Sequence, residues 1–540
     1  MGIERVIIKN FKKIKDPLVI DFLPGMNILV GDNEAGKTTI LEAIHLALTG
    51  QYQAKSIRNQ ISEYLFNREA VVEYLESFQS GGPIQPPEIL IEIYFSSGTI
   101  PEYEGNGNSK HLDGVEGIQF RIELSEDFYS AYQEMIEDDP PTSLPIEGYI
   151  PVWQTFDRIK HLPRQIKYRS ALIDSTNVNP THNSDKYISI IVKDLLDSDD
   201  VKAITHAHRE MIDSYENNEA LSTINSKIES QISTPERIIS LTPDRGPKSS
   251  WESILVANIN GIPFLHSGKG TQCIIQTNLS LKQKKVENAG TILIEEPENH
   301  LSHSRLNYLI EMIHSNQNDK QIIISTHSSF VANKLGLENL ILLDNSRTVT
   351  FRELTPDTYT FFRKLSGYDT LRFLLSNKAI LVEGDSDELI IQRAYMDLYN
   401  GRLPIMDGID VIKVGLAFER YLEIATILNS NVAIVTDNDG HPEKLEEKYK
   451  KYQGHDNISI CYDSNVDTGP VDGFNYNTLE PKLLKANSRG LFNHIFNTNY
   501  KDDQALLNYM KSNKTPCALK IFDFEQQISY PNYILDSIKQ

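Results

Sequence analysis

A buried strand that breaks into a glycine-bracketed loop and then into an apolar helix leaves a chain few folds to choose from. Met26-Asn27-Ile28-Leu29-Val30 reads as such a strand, Gly31-Asp32-Asn33-Glu34-Ala35-Gly36-Lys37-Thr38 as the loop, and Thr39-Ile40-Leu41-Glu42-Ala43-Ile44 as the helix start. This is the phosphate-binding pattern in the strand–loop–helix context that it requires. Glycines let backbone N–H groups wrap phosphates, so Gly31, Asn33, Gly36 and Thr39 join the nucleotide-site candidates. Lys37 reaches the β/γ oxygens, and Thr38 is the Mg²⁺ ligand. An α/β fold with a nucleotide site is the expectation.

Three later segments extend it. Thr291-Ile292-Leu293-Ile294-Glu295-Glu296-Pro297-Glu298 is an apolar strand ending in paired acids. Glu295 would support Mg²⁺ through water, and Glu296 would orient or deprotonate the attacking water. Gln321-Ile322-Ile323-Ile324-Ser325-Thr326-His327 is another strand, ending in a histidine suited to a γ-phosphate. A lone histidine at a strand end is otherwise polar surface; its order after the paired acids favours the phosphate reading. Ser267-Gly268-Lys269-Gly270-Thr271-Gln272 precedes a helix and can close, through Ser267 and Gly268, on a phosphate held by a second protomer. These parts, in this order, resemble an ABC-type ATPase of the SMC/RecF kind. The opening Val6-Ile7-Ile8-Lys9-Asn10-Phe11 is similar to the start of those proteins, while Glu295 stands where transporter ATPases usually have Asp. Gln51 and Gln53 are candidates for a glutamine loop.

The last third carries two more strands that end in carboxylates. Ala379-Ile380-Leu381-Val382 runs into Glu383-Gly384-Asp385-Ser386-Asp387, and Val432-Ala433-Ile434-Val435-Thr436 runs into Asp437-Asn438-Asp439. In open α/β sheets chemistry gathers at the carboxyl ends of strands. Two such strands side by side would put Glu383, Asp437 and Asp439 in one small volume, where carboxylates repel unless cations sit between them. Taken singly, either segment also reads as an acidic helix cap. Asp387 lies one helical turn beyond Glu383 and can share its helix face. The ordered pair resembles the Toprim domain of topoisomerases, primases and certain nucleases, and its spacing is that of the nuclease branch.

An ABC-type ATPase followed by Toprim in one chain resembles the OLD (overcoming lysogenization defect) nuclease family, which includes nucleases of Gabija antiphage systems and of retrons. The resemblance covers essentially the whole chain, with Val411-Ile412-Lys413-Val414-Gly415 as an intermediate Toprim strand. It implies that an acid after the DxD, Glu480 in Thr478-Leu479-Glu480, joins the metal ligands Glu383, Asp387, Asp437 and Asp439. It also implies a catalytic lysine near the metals, for which Lys514 is the candidate beside its reading as a solvated surface lysine. Each Toprim site would hold two Mg²⁺ or Mn²⁺ ions, and the ATPase would hold ATP with Mg²⁺.

The expected organisation is an ATPase over 1–350, interrupted at 180–235 by a helical dimerisation element, linking helices over 351–376, and Toprim over 377–540. Gly105 to Gly117 reads as a mobile loop. No sustained heptad pattern supports a long coiled coil. The 540 residues include three cysteines and no CxxC pair, which argues for a reducing cytoplasm and against a zinc module. No apolar run is long enough to span a bilayer, and the start Met-Gly-Ile-Glu-Arg lacks a secretory leader. A net charge of −21 is awkward for a DNA enzyme. Basic clusters at Arg158–Arg169 and Lys444–Lys451 read as solvated faces ahead of DNA grooves.

The expected protein is an NTP-responsive, metal-dependent DNA endonuclease, gated rather than driven by nucleotide. Its partners would be DNA, itself as a dimer or higher homo-oligomer, and a second phage-defence component such as a helicase or a retron, with no membrane. The competing readings are a RecF-like DNA clamp without cleavage and a topoisomerase or primase.

Overall fold

A computed structural model describes residues 2–53, 55–78, 85–129, 132, 134, 141–174, 196–232, 239–246, 251, 255, 258–281, 289–315, 320–344, 347–364 and 370–539. The chain divides into two compact units, one of Met1–Leu29, Asn33–Thr326 and Asn345–Thr348, the other of Val30–Asp32, His327–Asp344 and Val349–Gln540.

The first unit has two sheets. In the antiparallel one, β1 (Ile3–Lys9), β2 (Leu18–Asp21), β4 (Ile89–Phe95), β5 (Val115–Leu124) and β6 (Tyr149–Thr155) run in the order β6-β5-β4-β1-β2. In the other, β7 (Ser170–Asp174), β8 (Thr291–Glu295), β9 (Gln321–Ser325) and β3 (Met26–Gly31) lie parallel in that order. Every residue of β3, β4, β8 and β9 is buried, as strands covered on both faces require. Helix α1 (Lys37–Thr49) packs against strands of both sheets, which is why Ile40, Leu41, Ala43, Ile44, Leu46, Ala47 and Leu48 can all be buried. Trp153, also buried, donates its indole N–H to the Ala47 carbonyl at 3.0 Å and so satisfies one acceptor near the helix end.

Helices α2 (Ser198–Glu216) and α3 (Glu219–Ile232) fall inside the stretch expected to be a helical dimerisation element; residues 180–195 and 233–235 of that stretch lie outside the described residues. No residue of α2 is buried, and Met211 and Tyr215 on it are exposed.

In the second unit β10 (Lys378–Val382), β11 (Ile409–Lys413), β12 (Asn431–Val435) and β13 (Ile458–Cys461) form a parallel sheet in the order β11-β10-β12-β13. Its register pairs Val382 with both Lys413 and Val435, and Val435 with Cys461. The four strands therefore end on one edge, and the residues that follow them are delivered to that edge. The core beneath joins Ile380, Val382, Val411, Ala433 and Val435 to residues of the helices Asp385–Leu398, Leu479–Ala486, Lys514–Phe522 and Asn532–Lys539. The helix Ser329–Leu335 packs on Pro356–Lys364 and Thr370–Leu375. Those two set Phe362 and Phe373 edge-on against Tyr421, and Thr358 donates to Glu423 at 2.6 Å.

The stretch Gly105–Gly117, expected as a mobile loop, is irregular over 106–114. Its last residues belong to β5, and the rest is tied down by a carboxylate that composition does not reveal. Glu92, fully buried in β4, accepts from Ser109 N (2.6 Å), Ser109 Oγ (2.6 Å), Gln119 Nε2 (2.7 Å) and Tyr94 OH (3.0 Å). Asn108 exchanges two further hydrogen bonds with the backbone of Leu112. Removing the acceptor leaves the buried Tyr94 hydroxyl and the half-buried Gln119 amide without it and frees Ser109. Glu92→Ala is therefore expected to cost about 2–3 kcal/mol of stability and to open 105–114 to protease, read by thermal melting and limited proteolysis.

Candidate functional site

The phosphate-loop candidates converge at the start of α1. Gly36 is its N-cap in a left-handed conformation, φ 99°, which a side chain would strain. Lys37 is buried at the first helical position, and Thr39 is buried beside it, whereas Asn33 and Thr38 are exposed. Gly31 closes β3. The Thr38 hydroxyl donates to Glu295 Oε1, so a hydroxyl and a carboxylate stand together at a helix N-terminus. Two hard oxygen donors beside a row of helix N–H groups fit Mg²⁺ with nucleotide phosphates.

Glu296 turns out of β8 with φ 40°, donates its N–H to the Ser325 carbonyl (3.0 Å) and accepts from Asn299 Nδ2 (2.9 Å). Thr326 donates to Glu298 Oε1 at 2.6 Å. His327 opens the second unit's segment and directly precedes Ser328, the N-cap of Ser329–Leu335. Ser267 and Gly268 sit just before the helix Lys269–Leu281. Ser267 donates to the Phe264 carbonyl at 2.7 Å, and Gly268 is exposed. Gly270 must stay glycine, since a Cβ there would come within 2.6 Å of the His300 carbonyl oxygen.

The Toprim-like candidates gather at the sheet edge. Glu383 accepts from Thr436 Oγ1 at 2.6 Å. Asp387 Oδ2 accepts from Gly384 N at 3.0 Å and Asp437 Oδ2 from Leu479 N at 3.3 Å. Burial, then Glu383 and Glu480, push Asp387 up to about 7. Asp437 is raised well above its ordinary value by burial, then by Asp387, Glu383 and Glu480. Lys514 lies 3.4 Å from Glu480 Oε1. Burial works against its charge, but Glu480, Asp437 and Asp387 outweigh that and hold the ammonium above its ordinary value. The sequence thus brings Glu383, Asp387, Asp437, Glu480 and Lys514 into one field. Asp439 stands apart on an exposed turn, φ 48°, where Asn475 Nδ2 donates to its Oδ1 at 2.7 Å.

Among the described residues no three His, Cys, Asp or Glu side chains are drawn into chelating geometry. Electrostatics and burial, not ligand distances, gather these acids. The donor set is nonetheless one of hard oxygens, and the buried Glu480 Oε1 accepts no hydrogen bond. Such a group fits Mg²⁺ or Mn²⁺.

Sequence reasoning missed four residues here. Thr436 holds Glu383; Asn438, buried, anchors the bend between Asp437 and Asp439; Lys482 is buried two residues beyond Glu480; and Tyr533 lies in the acids' field. Only Asn438 carried a signal, as the middle residue of the DxD.

Residues 5–354 match the AAA domain family, and residues 374–439 match the family described as overcoming lysogenization defect protein-like, TOPRIM domain. The chain is 26% identical over 140 residues to the chromosome partition protein Smc of Halothermothrix orenii, covering 24% of this chain and 12% of that protein. It is 48% identical over 54 residues to the DNA replication and repair protein RecF of Lactococcus lactis subsp. cremoris, 10% of this chain and 15% of RecF. The SMC head domain from Thermotoga maritima aligns at 13% identity and a TM-score of 0.30, over 64% of this chain and 97% of that one. The chain belongs to the AAA-domain ATPases and, with the Toprim domain that follows, to the OLD family.

Asp387 carries a consequence for stability. In metal-free buffer the unfolded chain ionises it near the ordinary aspartate value, while the folded chain keeps its proton up to about 7. The folded state therefore binds the extra proton between those limits, and stability falls as pH rises through them. Asp387→Asn, neutral throughout, is expected to melt above wild type at pH 8 with chelator present, the gap closing toward pH 4. At the other site, Lys37→Ala is expected to abolish ATP binding in calorimetry, while Glu296→Gln retains binding and loses hydrolysis.

Proposed function

We propose that this chain is a nucleotide-regulated, divalent-metal-dependent DNA endonuclease that acts in the prokaryotic cytoplasm as part of antiphage defence. The observation that carries the reading is the convergence of Glu383, Asp387, Asp437 and Glu480 at one sheet edge, beside the Lys514 ammonium. A purely structural acidic cap would not gather so much uncompensated charge in a buried place.

Two Mg²⁺ or Mn²⁺ ions held by Glu383, Asp387, Asp437 and Glu480 would supply the activated water and stabilise the leaving oxygen. The chain's own groups do the rest. Thr436 fixes the Glu383 carboxylate. Asp387 has its Oδ2 held by Gly384 N, which leaves Oδ1 to face a cation. Lys514, half exposed, offers its charge to a non-bridging phosphate oxygen. Tyr533 is buried, and its hydroxyl is pushed well above its ordinary value by burial and then by the acids, which disfavours Tyr533 as a nucleophile.

At the other site Lys37, Thr38 and Glu295 would hold ATP with Mg²⁺, Glu296 would orient the attacking water, and His327 would contact the γ-phosphate. The exposed Gly268 and the half-buried Ser267 suit presentation to a nucleotide on another protomer, and the uncovered α2–α3 pair suits a permanent contact between copies. Closed two-fold symmetry is the commonest solution for such contacts. A helicase or a retron is the proposed second component. The RecF match favours one other reading, an ATP-dependent DNA clamp that does not cut.

Supercoiled plasmid, incubated with Mg²⁺ or Mn²⁺ and with or without ATP, separates them. Nicked or linear product is expected with metal, lost in Glu383→Ala and Asp437→Ala, both of which keep ATP binding. Cleavage by Glu383→Ala at the wild-type rate would sink the nuclease assignment. Light scattering is expected to give at least a dimer, and a monomeric mass with and without ATP would remove the dimer claim.

A further inference from the structure

Between Cys461 and Leu479 the chain forms neither helix nor strand. So long an irregular stretch is uncommon in a compact domain unless it serves a site. It is also fixed at many points. Lys482 reaches Asp463 Oδ2 at 2.6 Å, Asp467 Oδ2 at 2.8 Å and the Asn465 carbonyl at 3.0 Å, with only 3% of its side chain exposed. Asn477 accepts from Asp467 N at 2.6 Å and donates back to the Asp467 carbonyl at 3.0 Å.

The stretch is tied equally firmly to the acids. Asn438, between Asp437 and Asp439, donates to the carbonyls of Asp463 and Asn465, so the Asn465 oxygen is shared with Lys482. Asn475 donates to Asp439 Oδ1 at 2.7 Å while its own Oδ1 accepts from Asn477 N at 2.9 Å. Lys482 stands two residues beyond Glu480 on a helix whose first N–H, Leu479 N, donates to Asp437.

We propose that Asp463–Thr478 is a positioning strap for the acid cluster, with Lys482 and Asn475 as the positioning residues that join it to Glu480 and to the Asp437–Asp439 bend. The proposal rests on the reading of these acids as metal ligands. A buried ammonium persists only where it is paired, and here it fixes three acceptors on the strap at once. It also neutralises Asp463 and Asp467, with help from Lys485 at 2.6 Å, so that those carboxylates do not compete for a cation meant for the neighbouring acids. Without Lys482 the two carboxylates repel, the strap lifts, and Asn438 loses the carbonyls that hold the bend. Asn475 acts at the other end. It donates to Asp439 Oδ1 while its own Oδ1 holds Asn477 N, and so pins the far side of the Asp437–Asp439 bend to the strap.

The test is Mn²⁺ binding to the full chain, by calorimetry without DNA, alongside plasmid cleavage over a Mn²⁺ titration. Asn475→Ala removes a half-exposed amide and is expected to leave melting temperature and ATP affinity unchanged while weakening Mn²⁺ roughly 10-fold or more. Lys482→Met keeps the buried stem and is expected to weaken Mn²⁺ by about 10–100-fold, with partial rescue in Lys482→Arg. In Asn475→Ala, cleavage should recover toward the wild-type rate at saturating Mn²⁺. Should Lys482→Met not fold, Asn475→Ala decides alone. Wild-type Mn²⁺ affinity in Asn475→Ala, and in Lys482→Met where it folds, overturns the strap while the nuclease reading stands. Failure of the wild type to bind Mn²⁺ any better than Glu383→Ala would instead remove that reading, and the strap with it.

Discussion

Carboxylates crowded out of water repel one another, and much of the second unit is arranged so that four of them stay together nonetheless. Parallel register sets the backbone: Val382 and Val435 are level, so Glu383 and the Thr436-Asp437 pair leave the sheet side by side. Donors then meet the acids one by one, Thr436 at Glu383, Gly384 N at Asp387 and Leu479 N at Asp437. What remains uncompensated shows in the raised Asp387 and Asp437, and Lys514 offsets only part of it. Stored repulsion of this kind is what a cation relieves on binding, which ties affinity to the fold's ability to hold the group.

The first unit uses the same device with a different charge. Parallel β8 and β9 bring Glu295 level with Ser325, and β3 feeds α1, whose N-terminus presents N–H groups rather than carboxylates. Helix and strand ends thus supply opposite fields in the two units, one suited to phosphate and the other to metal. Because α1 is buried on both faces, its position is not adjustable without moving two sheets.

Much of this was legible because it is local. A buried strand followed by a charged or glycine-rich turn is written in consecutive residues, and so the phosphate loop, the paired Glu295-Glu296 and both strand-end acids can be read in sequence. The residues that escaped notice take their roles from distant partners. Lys482 reads as a surface charge beside an acid until Asp463 and Asp467 fold over it, and Asn475 is one more polar loop residue until Asp439 turns toward it. At Gly105–Gly117 composition shows the glycines but not the buried glutamate of β4 that accepts from Ser109. The DxD spacing groups Asp437 with Asp439 only if the strand continues, and it stops at Val435.

The compact unit that holds the Toprim acids also includes Ser329–Leu335, packed on Pro356–Lys364 and Thr370–Leu375, and those two helices set Phe362 and Phe373 against Tyr421. Grafts cut close to Lys378 would leave Tyr421 without its aromatic neighbours and expose an apolar face. A graft that keeps this core intact therefore has to begin upstream of Pro356.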